Sequence, residues 1–130
     1  MEKTLHILIV DDDDVDRERL HRMLKFSLDR LEVEEATSAG QALSILPCQA
    51  WDCIFLDYHL GESSGLDLLQ EIRARISTPC AVILITGLGD ESVAAAAMRE
   101  GVCDYLVKYQ INEKQLIRSL MGAIHRIDIE

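Results

Sequence analysis

A chain of 130 residues with 48% hydrophobic side chains can bury one compact core but is short for two. Its 23 acidic against 13 basic residues leave a net charge of -10, which opposes direct binding to nucleic acid or to an anionic membrane surface. No apolar run approaches the ~20 residues that cross a bilayer, and Met1-Glu2-Lys3-Thr4 lacks the basic and apolar segments of a secretory leader, so the chain reads as cytoplasmic.

The first apolar run, Leu5 to Val10, is nearly continuous rather than alternating, as expected of a parallel strand buried on both faces. It runs directly into the acidic stretch Asp11 to Asp14. Leu20, Met23, Leu24, Leu28 and Leu31 then recur at steps of three and four, the period of a helix with one apolar face. Leu31 to Ala36 is the second strand candidate, and Ser38 with Gln41 has capping-box spacing for a second helix that stops near Pro47. Trp51 to Leu56 forms the third strand and ends on Asp57. Gly61 and Gly65 mark a loop flexible enough to admit a donor, with Ser64 as the N-cap of the third helix.

Ala81 to Ile85, again continuous, is the fourth strand and ends on Thr86. Asp90 is a candidate N-cap for a fourth helix whose stretch Val93 to Met98 holds four consecutive alanines, favouring helix while offering little bulk to anchor it. Gly101 stops it. The fifth strand, Val102 to Val107, ends on Lys108; Asn112 with Gln115 then starts a helix carrying Leu116, Leu120, Ile124 and Ile127. No linker or repeat interrupts residues 1–130, which read as a single domain. Cys48, Cys53, Cys80 and Cys103 include no CxxC pair and read as free structural thiols.

Five βα units with right-handed crossovers imply an α/β fold, a doubly wound five-stranded parallel sheet of order 2-1-3-4-5. The C-terminal ends of its strands share one edge, and strands 1 and 3 flank the point where the order reverses, where such sheets bind ligands. Asp11, Asp12, Asp57, Thr86 and Lys108 should therefore converge. Three neighbouring carboxylates repel and raise one another's pKa unless a cation sits among them; Mg²⁺, which takes oxygen ligands and commonly keeps waters and a phosphate oxygen, meets that need. Lys108 adds a second positive charge and Thr86 a donor for a transferring phosphoryl group, with Asp57 as the best-placed nucleophile.

In this order, Ile7-Leu8-Ile9-Val10-Asp11-Asp12-Asp13, Leu56-Asp57-Tyr58-His59-Leu60 with Ser64-Gly65-Leu66, Ile85-Thr86-Gly87 and Asp104-Tyr105-Leu106-Val107-Lys108 resemble the receiver domains of two-component response regulators over essentially the whole chain. The resemblance implies a flavodoxin-like receiver fold in which Asp57 accepts a phosphoryl group from a phosphohistidine. Asp11, Asp12, Asp57 and the backbone carbonyl of His59 would surround Mg²⁺. Thr86 and Tyr105 would form the switch, changing the surface of helix 4, strand 5 and helix 5.

Implied partners are a sensor histidine kinase or a histidine phosphotransfer protein as donor, an output domain or partner protein as target, and a second copy of the chain on phosphorylation. The resemblance implies a switch that assists its own phosphorylation and hydrolysis rather than a turnover enzyme. Two positions depart from the family pattern. Asp14 stands where proline is frequent before helix 1, and Tyr109 stands where proline commonly follows the lysine with a cis peptide. A cis bond to a non-proline residue costs ~2.5–4 kcal/mol, so Lys108-Tyr109 is expected to be trans or strained.

Blander readings compete. Asp11 to Asp14 could be a solvated loop that caps helix 1, Thr86 a turn hydroxyl, Lys108 a surface charge, and Tyr105 ordinary packing on a sheet face. An EF-hand fails on Asp12, Asp14 and Asp16, because Arg17 occupies the required glycine and Met23 the required glutamate. His6, His21, His59 and His125 lack metal spacing. Among functions, a haloacid-dehalogenase-like phosphohydrolase would use Asp11 of Asp11-Asp12-Asp13-Asp14-Val15 as nucleophile, but would need an acidic pair after Lys108 and leaves Asp57 unexplained. An unphosphorylated receiver-like interaction module is the third reading, though no acidic or lysine position is lost.

Overall fold

The structure, a computed structural model, describes residues 3–61, 63–87 and 91–129. Strands β1 (Leu5–Val10), β2 (Leu31–Ala36), β3 (Cys53–Asp57), β4 (Ala81–Thr86) and β5 (Asp104–Val107) alternate with helices α1 (Asp14–Ser27), α2 (Ala39–Ile45), α3 (Gly65–Arg75), α4 (Glu91–Arg99) and α5 (Glu113–Ile129). The strands form one parallel sheet in the expected order β2-β1-β3-β4-β5.

Period-two alternation divides the apolar strand residues between two layers. Leu8, Val10, Ile54, Leu56, Val82 and Leu84 face one side with Leu68, Leu69 and Ile72 of α3. Ile7, Ile9, Phe55, Ile83 and Ile85 face the other, against Leu20 and Leu24 of α1 and Leu116 and Leu120 of α5. Every residue of β3 and β4 is buried, whereas β2 at the edge alternates. Each large side chain removed from water contributes ~1.5–3 kcal/mol, so this double layer holds the strand ends in fixed register.

Element boundaries shift where a residue serves a different purpose from the one its polarity suggested. Trp51 precedes β3; it packs into the core there, its indole Nε1 satisfied by donating to the Leu46 carbonyl at 3.0 Å. Val102 and Cys103 precede β5, and Leu31 belongs to β2 although it continues the spacing of α1, which ends at Ser27. Pro47 sits inside a 3₁₀ turn, Leu46–Cys48, that follows α2 directly. Ser38, Ser64 and Asn112 accept from the backbone N–H groups of Gln41, Asp67 and Gln115 as N-caps do. Asp90 lies outside the described residues. In α4 the small Ala94 and Ala97 are the buried residues while Met98 is exposed, in keeping with a lightly anchored helix. All four cysteines are free, and burial pushes the Cys80 thiol up to about 12.

The segment after β3 is more ordered than its glycines suggested. His59–Leu60 and Ser63–Ser64 pair antiparallel around Gly61, whose φ of 64° suits glycine. Gly65 opens α3 for a different reason: a Cβ there would stand 2.6 Å from the Asp57 carbonyl oxygen and 2.9 Å from Tyr58 Cα, and its own N–H donates to the Tyr58 carbonyl at 2.6 Å. Helix α3 thus abuts the backbone of Asp57. Gly65→Ala is expected to cost ~1–3 kcal/mol in urea unfolding, because neither side of the clash can rotate away. Gly40→Ala, in α2 with nothing within 4 Å of its Cβ position, should instead be neutral or stabilising; equal effects at the two sites would refute this close-approach account.

Candidate functional site

Parallel register brings the polar strand ends together. Asp57 pairs with Ile85, Val10 with Leu56, and Thr86 with Val107, so Asp11, Asp12, Asp57 and Lys108 meet at the C-terminal edge beside the reversal between β1 and β3. Carboxylate oxygens of Asp11, Asp12 and Asp57 lie within 4.8 Å of one another, Asp11 and Asp57 buried and Asp12 exposed. Three hard oxygen donors at that separation, one of them open to solvent, suit a divalent cation that retains water.

Asp13, the next acid, does something else. Its side chain accepts from the N–H groups of Val15 and Asp16 and caps α1, while its own N–H donates to Asp11 Oδ1 at 2.8 Å. The acidic run is therefore divided: Asp13 terminates the helix, and Asp11 and Asp12 join Asp57.

Lys108 Nζ approaches Asp57 Oδ2 at 3.1 Å, Asp11 Oδ2 at 3.4 Å and Asp16 Oδ2 at 3.0 Å. Among the described residues every peptide is trans, the Lys108-Tyr109 bond included, and the lysine still reaches the site from a 3₁₀ turn, Lys108–Gln110. Burial alone would lower the lysine pKa; hydrogen bonds to Asp16 and Asp57 outweigh it and raise the pKa above its ordinary value. Asp11 moves to about 6, chiefly through burial, with the neighbouring Asp57 charge adding to the rise and the Asp13 N–H and Lys108 opposing it.

Thr86 is buried in β4, its hydroxyl turned toward the Leu106 carbonyl at a long 3.5 Å. Tyr105 is 40% exposed, so its ring is not a core residue. His59 is exposed, and its N–H donates to Asp57 Oδ1 at 3.3 Å. Leu88, which follows Thr86-Gly87 in sequence, lies outside the described residues.

Two residues were not singled out from sequence. Asp16 reads in the sequence only as a calcium-loop position, although Asp16, Arg19, Leu20 and Met23 fall on one helical face. Arg17 donates Nη1 to the Asp11 carbonyl at 2.9 Å and Nε to Glu35 Oε1 at 2.7 Å, tying the acidic turn to β2.

Comparison with known proteins places the fold in a family. The family model described as "Response regulator receiver domain" matches residues 7–121. The transcriptional regulatory protein FixJ of Azorhizobium caulinodans is 39% identical over 97% of this chain and 58% of its own length. SrrA of Staphylococcus aureus, also a transcriptional regulatory protein, is 35% identical over 78% of the chain and 41% of its own. The chain thus spans less than two thirds of either relative. A response regulator receiver domain protein from Clostridium thermocellum superposes with a TM-score of 0.85 at 32% identity, covering 96% of this chain and 98% of that one. Full-length FixJ from B. japonicum superposes with a TM-score of 0.85 at 27% identity, over 98% of this chain and 61% of that one.

The raised Asp11 pKa has a definite sign. Between pH ~4 and 6 the folded state holds the Asp11 proton that the unfolded chain has released, so this residue's contribution to stability falls as pH rises through that window. In chelator-treated protein, Asp11→Asn should therefore gain stability over the wild type at pH 7.5 and lose that advantage at pH 4. Urea midpoints at the two pH values measure it, and a constant difference would contradict the burial of the charge.

Proposed function

The chain belongs to the response regulator receiver domain family, whose members are phosphoacceptor switches of two-component signalling, and from that premise we propose that Asp57 is the residue phosphorylated. One observation carries the assignment: Asp57, at the end of the central strand β3, shares the acidic cluster with Asp11 and Asp12 and also meets Lys108 at 3.1 Å. Family membership leaves no support for the phosphohydrolase alternative built on Asp11.

An Asp57 carboxylate oxygen attacks the phosphorus of a phosphohistidine, the P–N bond breaks as an acyl-phosphate P–O bond forms, and the imidazole nitrogen leaves with the bonding pair. Asp11, Asp12, Asp57 and the backbone carbonyl of His59 would hold Mg²⁺, which would supply charge neutralisation for the phosphoryl oxygens. Lys108 donates to a phosphoryl oxygen in place of its contact with Asp57. Thr86, whose bond to Leu106 is long and easily exchanged, turns to the phosphoryl group. Tyr105 follows from its exposed position and alters the face formed by α4, β5 and α5. The same groups assist hydrolysis of the acyl phosphate by water.

In this reading residues 1–130 form one receiver domain that acts in the cytoplasm; among the described residues no helix is long and apolar enough to cross a membrane. The donor is a sensor histidine kinase or a histidine phosphotransfer protein. The target is an output domain or partner protein, or a second copy of the chain. The acidic domain itself does not bind nucleic acid.

Incubation with a small phosphodonor and Mg²⁺ should place an acid-labile adduct on Asp57, abolished by chelator and by Asp57→Asn. Lys108→Ala should slow labelling by roughly 10²-fold, the scale of losing one donor to a developing oxyanion. Mass mapping that puts the label on Asp11, or labelling that persists in Asp57→Asn, overturns the assignment.

A further inference from the structure

Helix α1 grips the segment after β5 at two points. Asp16 Oδ2 accepts from Lys108 Nζ at 3.0 Å, and Arg19 donates Nη2 to the Ile111 carbonyl at 2.9 Å. Residues three apart share a helix face. Leu20 and Met23 continue that face, and the crevice between it and Ile111 has a volume of only about 20 Å³, so the helix and the loop are nearly in contact.

Between the two anchor points the loop is a short 3₁₀ turn with little side-chain anchoring among the described residues. Tyr109 and Gln110 are exposed, the turn has no side-chain cap, and residues 108–111 include neither proline nor glycine. The lysine has a four-carbon stem and three rotatable donors, so its ammonium sits where its acceptors hold it. Those acceptors are Asp16, Asp57 and Asp11.

Two of the three change partners during the proposed reaction. Asp11 and Asp57 belong to the carboxylate cluster suited to a cation, and Asp57 itself becomes the acyl phosphate. Asp16 stands outside that cluster, with its side chain 18% exposed and aimed at the lysine. We infer that Asp16 is a positioning residue for Lys108: it keeps the ammonium at the mouth of the site while Asp57 and Asp11 exchange partners, with Arg19 holding the far end of the same loop.

The inference rests on Asp57 being the phosphoacceptor. At saturating Mg²⁺, Asp16→Asn should slow phosphorylation of Asp57 by a small donor roughly 10-fold, the scale on which a displaced catalytic group loses rate. The same change in a Lys108→Ala background should alter the rate by less than about 2-fold, because a residue that acts only through the lysine has nothing left to position. Asp16→Glu, which restores a carboxylate, should recover most of the wild-type rate. Equal losses in both backgrounds, as general destabilisation would produce, or no loss in either, overturn the role of Asp16. A wild-type chain that takes no label on Asp57 defeats the phosphoacceptor reading first, and this inference with it.

Discussion

One ammonium among several carboxylates is the constraint on which the C-terminal edge of this sheet depends. Asp11 and Asp57 are buried, Asp12 shares their cluster, and Lys108 is the cation that meets them. Carboxylates removed from water at such separations are each costly, and one lysine offsets only part of the repulsion. Asp11 rises to about 6 in spite of that lysine, chiefly because it is buried, with the Asp57 charge adding to the rise. A cluster with excess negative charge suits a divalent cation, and a phosphoryl group's oxygens would take up both positive charges. The electrostatic cost in the resting protein and the capacity to switch have the same origin.

The fold makes this tolerable by rigidity elsewhere. Both faces of β1, β3 and β4 are sealed, by α1 and α5 on one side and by α2, α3 and α4 on the other, so the strand ends cannot spread to relieve repulsion. Gly65 lets α3 close against the backbone of Asp57, and Arg17 holds the Asp11 carbonyl from α1. Other parts are held more lightly: the alanine-rich α4, the Thr86 hydroxyl on its long hydrogen bond, and the exposed Tyr105.

Much of this was legible in the sequence, for physical reasons. Leu5 to Val10 and Ala81 to Ile85 could be read as interior strands because burial on both faces abolishes polar alternation. The polar residues that end them stood out against that background, so the positions of Asp11, Asp12, Asp57, Thr86 and Lys108 followed from topology. Boundaries were less legible where burial and strand pairing part company, as at Trp51, which is buried in the core outside the sheet, its indole N–H satisfied by the Leu46 carbonyl. The role of Asp16 was hidden because it depends on how α1 approaches a loop 92 positions away, measured between Arg19 and Ile111, and no local pattern records such an approach. The peptide after Lys108 is trans, and the lysine still reaches the site from a loop that Arg19 of α1 anchors at Ile111.

If the lysine is the partial counter-charge described, it competes with an incoming divalent cation for Asp11 and Asp57. Calorimetric titration of Mg²⁺ into the wild type and into Lys108→Met, at the same ionic strength and at a pH above 7, tests this directly. The account expects the variant, with its carboxylates uncompensated, to bind Mg²⁺ several-fold more tightly than the wild type. Equal or weaker binding by the variant would contradict it.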